Sequence, residues 1–192
     1  MEEQKKFWSK RNIVALFIII VMVGSSAGFI FGRDEGYSSK YNGFKFKLIN
    51  NVWLTKINGK EVRFHLHPTE VENLSVSNDS IKKLDSPSIY FTFEAGKNLQ
   101  YIDMIRYEFI TSLQEQLNTY VASGVLNATE AYKDFPVIDC INATADMPVL
   151  KLIFSNETKA YSEGNCVIAE AQSEREMLAI SDRIRYGLFG VI

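Results

Sequence analysis

Gly43–His67 reads GFKFKLINNVWLTKINGKEVRFHLH, and this stretch decides the fold class. Phe44, Phe46 and Leu48 alternate with Lys45 and Lys47, the two-residue period of a strand with one wet face. Asn50-Asn51 marks a turn, and Val52–Ile57 continues in extended form. Asn58-Gly59 carries the side-chain signature of a type I′ hairpin, after which Lys60–His67 returns. The pattern predicts a three-stranded antiparallel meander over 43–67.

Toward the C-terminus, 68–87 is turn-rich, with a short helix expected over Ser80–Leu84. Ser88–Phe93, SIYFTF, reads as a buried strand, being rich in aromatic and β-branched residues. Leu99, Ile102, Ile105, Phe109, Leu113 and Leu117 recur at helical spacing and predict a helix over Leu99–Ala122, with Gly124 placed to end it. Three more strands are expected at Val137–Ile141, Val149–Phe154 and Cys166–Ala171. Ser173-Glu-Arg-Glu176 is a capping box that opens a last helix, with Met177, Ile180, Ile184 and Leu188 on one face. This order lacks strict β-α alternation. It predicts an α+β domain: an antiparallel-rich sheet with two main helices on one face.

Toward the N-terminus, Gly32–Asn42 is polar and reads as a juxtamembrane linker. Before it lies Ile13–Phe31, IVALFIIIVMVGSSAGFIF, 19 residues without a charge. As a helix it is about 28 Å long, enough to cross a bilayer core. Lys5, Lys6, Lys10 and Arg11 precede it, so the positive-inside rule puts residues 1–12 in the cytoplasm and the domain, 43–192, outside. Phe7 and Trp8 stand where interfacial aromatics collect. The competing reading is a signal peptide: Ile13–Val23 is an apolar core behind a basic region, and Ser25-Ser26-Ala27 offers small residues for cleavage after Ala27, releasing a secreted domain. Phe29-Ile30-Phe31 prolongs the apolar run past that point, as an anchor does. Gly24, Gly28 and Gly32 repeat a G-x-x-x-G spacing that lets two membrane helices approach and allows a homodimer.

Two further patterns agree with export. Cys140 and Cys166 are the only cysteines, and a lone pair in an oxidising compartment reads as a disulfide. Asn73, Asn78, Asn127, Asn142 and Asn156 each open an N-x-Ser/Thr sequon, five where composition alone gives about 1.6. Asn/Ser/Thr turn chemistry produces the same tripeptides without sugar. The overall plan, a basic tail, one span and a small sequon-bearing domain with one cysteine pair, resembles that of small archaeal surface proteins. That resemblance carries over no functional residue.

The chain has 21 basic and 23 acidic residues and no run of Lys or Arg, so nothing in it marks a nucleic-acid partner. His65 and His67 share one strand face, and with Glu70 or Glu72 they are the weak candidates for a metal site. No G-x-S-x-G elbow occurs, and a Cys–His enzyme would need a free thiol. Glu94-Ala-Gly-Lys97 precedes a helix start, where anions bind, but lacks Walker spacing. Glu174 and Glu176 suit the first turn of a helix. Asp182, Arg183 and Arg185 read as a solvated helical face. The expected function is a single-pass, membrane-anchored surface protein whose domain binds or scaffolds another envelope component, without cofactor. An exported enzyme or metal-binding protein using His65 and His67 is the alternative.

Overall fold

Three asparagine turns fold the front of the domain. The computed structural model describes residues 10–31, 37–94 and 99–192. In it β1 (Ser38–Tyr41), β2 (Phe44–Ile49), β3 (Val52–Ile57) and β4 (Lys60–Phe64) form an antiparallel sheet in chain order. Asn42-Gly43, Asn50-Asn51 and Asn58-Gly59 all take positive φ, between 44° and 85°. Left-handed backbone at both central residues gives a turn whose twist matches that of its strands. The expected meander is therefore present, with two corrections. The 32–42 linker ends in a strand, because Asn42-Gly43 is itself a hairpin turn; SSKY is too short and polar to display an alternation of its own. The last strand stops at Phe64, because His67 caps the helix that follows.

The remaining strands are β5 (Ser75–Val76), β6 (Ser88–Phe93), β7 (Tyr120–Val125), β8 (Val149–Phe154), β9 (Lys159–Glu163) and β10 (Cys166–Ala171). They form a second sheet in the order β5-β9-β10-β8-β6-β7. Only β9–β10 is antiparallel; β5–β9, β10–β8, β8–β6 and β6–β7 are parallel. The expectation of antiparallel pairing holds for the first sheet and fails for the second. β5, β7 and β9 are not among the expected strands: β5 is two residues long within a turn-rich stretch, KAYSE is half polar, and the expected helix overlaps the start of β7.

That helix, α4, runs Leu99–Leu117 and does not reach Ala122. Asn118 turns left-handed at φ 56°, and YVASGV leaves as β7. Gly124 is thus no helix stop. A Cβ there would lie 2.4 Å from Ile138 Cγ1, so glycine permits a close approach between β7 and the 137–147 segment. Val137–Ile141 is not a strand either. Only Val137 bridges to Val125, and Cys140–Asn142 is a 3₁₀ turn capped by Asp139.

Short helices α2 (Pro68–Val71) and α3 (Asn78–Leu84) precede β6, and α5 (Glu174–Leu188) closes the domain. Ser173 caps α5 by accepting from the N–H of Glu176. Alternate residues of the second sheet, Phe91, Phe93, Leu150, Leu152, Val167 and Ala169, join the main core with α4 and α5. The Phe91 and Phe109 rings lie 5.1 Å apart, and Tyr186 stacks on Phe64 at 3.9 Å. One helix layer therefore fills the space between both sheets. On the other side of the second sheet, Val149, Cys166 and Ile168 pack under Ile138. The Cys140–Cys166 disulfide, with Cα atoms 5.2 Å apart, holds that flap. Closing its 26-residue loop stabilises the fold by about 3.5 kcal/mol in the chain-entropy picture.

The N-terminal helix α1 (Lys10–Phe31) belongs to a separate unit, 1–36. Its described side chains, Ile13–Val23, are all exposed. Among the described residues no helix is long and apolar enough to cross a membrane.

Candidate functional site

β4 is an edge strand, and the chain beyond it turns into α2 with backbone groups that no neighbouring strand receives. A polar stripe on α5 receives them. Asp182 Oδ2 accepts from the N–H groups of His65 (2.8 Å) and Leu66 (3.0 Å). Arg185 Nη2 donates to the Arg63 carbonyl, and Tyr186 donates to that of Leu66 at 2.7 Å. Residues 182, 185 and 186 share one helix face, so three side chains do the work of a missing strand. The expected solvated face is corrected here: Asp182 and Arg185 are 0% and 1% exposed. Their spacing fits a wet helix, and only the position of β4 explains their burial.

Arg185 also binds Asp182 Oδ1 at 3.0 Å and the Ser112 hydroxyl at 3.1 Å, and lies 4.5 Å from the Phe64 ring centre. Its Nη1 comes within 3.6 Å of Glu108 Oε2. Glu108 Oε1 in turn meets His65 Nε2 at 3.0 Å. That bond raises the His65 pKa, against the opposing effect of burial. Burial pushes the Asp182 carboxyl up to about 6, while Arg185 and the two N–H groups pull it down. The ensemble borders a cleft of about 280 Å³, with Glu61, Arg63 and Glu115 at its sides.

The cluster holds the His65 imidazole against the Glu108 carboxylate. It does not assemble a nucleophile. The Ser112 hydroxyl donates to Phe109 O and that of Thr111 to Tyr107 O, both within their own helix.

His67 faces a different environment from His65. Its ring lies 4.6 Å from Trp53 and 5.2 Å from Phe46, and its Nδ1 caps α2 together with Thr69. Desolvation lowers its pKa. Glu70 completes the cap by accepting from His67 N, and Glu72 accepts from the Tyr41 hydroxyl. Among the described residues no three metal-ligating side chains are grouped. Glu94 accepts from Phe154 N, while 95–98 lie outside the described residues. So does Gly32, and of Gly24 and Gly28 only the helical backbone is described. Asn73, Asn78, Asn127, Asn142 and Asn156 are all exposed. The Asn142 amide oxygen accepts from Asp139 N.

A second feature escaped a linear scan of the sequence. The outer face of the first sheet carries Lys40, Lys45, Lys47, Lys56 and Arg63 with Glu61 as its one acid. The register places Lys40 opposite Lys45, Lys47 opposite Leu54, Leu54 opposite Arg63, and Lys56 opposite Glu61. From Tyr37 onward the chain has 16 basic and 19 acidic residues, so five of the cations of an acidic domain share one face. None of the five is in an ion pair among the described residues. The cations come from four strands, and only Lys45 and Lys47 announce themselves in the chain. Ile49 and Leu54 join Lys45, Lys47, Lys56 and Glu61 around a shallow depression there of about 560 Å³.

No protein family, curated protein or solved structure matches this chain.

Proposed function

We propose that the protein is a single-pass, membrane-anchored surface protein, with Ile13–Phe31 as the anchor and an outward α+β domain that binds or scaffolds an envelope component without catalysis. The observation that carries this reading is the Cys140–Cys166 disulfide, which fits an oxidising compartment and agrees with the direction given by Lys5, Lys6, Lys10 and Arg11. The five exposed sequons suit the same side. The non-catalytic part rests on the polar cluster at α5, whose strongest members are bonded to the backbone of Arg63–Leu66. The Gly24, Gly28, Gly32 spacing adds a homodimer of anchors to the reading.

Alkaline extraction of native membranes, followed by protease added to intact cells, tests it. The protein should stay with the membrane pellet, and the protease should remove the domain. Release by alkali, or a domain protected until the cells are broken, contradicts the reading.

A further inference from the structure

The outer face of β1–β4 has no role in the core and a charge opposite in sign to its own domain. Strand alternation explains why one side is wet, but a wet face needs no particular sign. Lysine opposite lysine, as at Lys40 and Lys45, is unfavourable across strands. Such a face is stabilised by an anionic surface laid against it.

Three further observations narrow the occupant. The sheet is built from consecutive hairpins and begins at Ser38, so only 32–37 separate it from the end of α1 at Phe31. All five sequons lie outside the sheet: Asn73 and Asn78 around β5 and α3, Asn127 after β7, Asn142 in the 3₁₀ turn, and Asn156 between β8 and β9. The surface that any sugars would crowd is thus elsewhere. Finally, Ile49, 44% exposed, and Leu54 stand among the cations, and the face carries no aromatic side chain for stacking bases. Cations surrounding a few aliphatic side chains suit a headgroup region that contains anionic lipid.

We propose that the β1–β4 face lies on the anionic lipid headgroups of the membrane that holds the anchor, through Lys40, Lys45, Lys47, Lys56 and Arg63. The domain is thereby oriented with the disulfide flap, beyond the second sheet, turned outward toward partners. This inference rests on the anchored reading above.

The test uses the full chain in lipid nanodiscs, made either of phosphatidylcholine alone or of equal parts phosphatidylcholine and phosphatidylglycerol. Lysine acylation rates are read site by site by peptide mass spectrometry. Lys45, Lys47 and Lys56 should react at least threefold more slowly in the anionic discs. Lys82 and Lys133, on other surfaces, should react equally in both. Raising salt to about 1 M, where screening acts within about 3 Å, should abolish the difference. The triple variant K45E/K47E/K56E, checked for an unchanged melting temperature, should leave Lys40 equally reactive in both discs. Equal rates in both discs at low salt overturn the proposal. So does stronger protection by a soluble acidic polysaccharide or an RNA oligonucleotide added to the neutral discs. A chain that separates from the discs refutes the anchor and this inference together, whereas an inserted chain with unprotected lysines refutes the face alone.

Discussion

The two sheets of this domain are built on opposite principles. The first has four strands in chain order, turns of two residues, and a wet outer face. The second has six strands in the order β5-β9-β10-β8-β6-β7, mostly parallel, with apolar residues on both faces and a disulfide-held flap on one. Parallel pairing requires crossovers, and crossovers cover faces. The second sheet is therefore partly covered on its far face too, where Val149, Cys166 and Ile168 lie under Ile138. The first sheet is covered only by the helix layer, and its free face is where an acidic domain collects cations. The contrast locates stability in one sheet and the surface available for binding in the other.

The largest expected effect comes from breaking the joint between the first sheet and the helices. Asp182→Ala removes the nearest carboxylate from the buried Arg185 and orphans two N–H groups, a change of about 3–5 kcal/mol. Denaturant unfolding should show it. Full stability in this variant would mean that the stripe on α5 does not substitute for a strand.

Replacing Cys140 and Cys166 together by serine should cost about 3 kcal/mol. Hydrogen exchange in β8 and β10 should accelerate while β2 and β3 keep their protection. Equal loosening of both sheets would erase the distinction drawn between them.

A smaller effect is expected at Gly124. Gly124→Ala pushes a methyl against Ile138 and the Pro136 carbonyl, an overpacking worth about 1–3 kcal/mol. Gly43→Ala on the other sheet meets no atom within 4 Å but must hold φ at 85°. Its cost arises from backbone strain, about 1 kcal/mol, and the two variants separate crowding from conformation.

The smallest effect is in pH dependence. His65 has its folded pKa raised above 6.5 by Glu108. Its contribution is fully present below pH 6.5 and is lost as pH rises through the folded value. Asp182, raised from 3.8 to about 6, acts with the same sign in that lower window. His65→Gln should flatten the decline in melting temperature above pH 6.5. An unaltered slope would remove His65 from the titrating group.

The same contrast explains what could be read from the chain. The first sheet is local: alternating Phe44–Leu48 and the Asn58-Gly59 turn encode it within a few residues, and Asn42-Gly43 encodes the strand that the polar run 32–42 concealed. The second sheet is set by contacts between distant segments. SIYFTF, VLKLIF and CVIAEA are legible as strands from their apolar content, but nothing local tells that they run parallel. β7 lacks a pattern because YVASGV combines small residues with a glycine whose purpose is Ile138. The α5 stripe has the same limitation. Asp182 and Arg185 resemble any exposed helical pair until β4 is placed against them. The disulfide needed no spacing rule, since two cysteines allow one pairing.

The intact mass of the native, membrane-extracted protein tests the account most directly. The predicted result is a chain that retains Ile13–Phe31 and is lighter by the two hydrogens of the Cys140–Cys166 disulfide, with any sugar appearing as added mass. A chain beginning at Gly28, or one with both thiols free, would contradict an anchored, outward-facing domain.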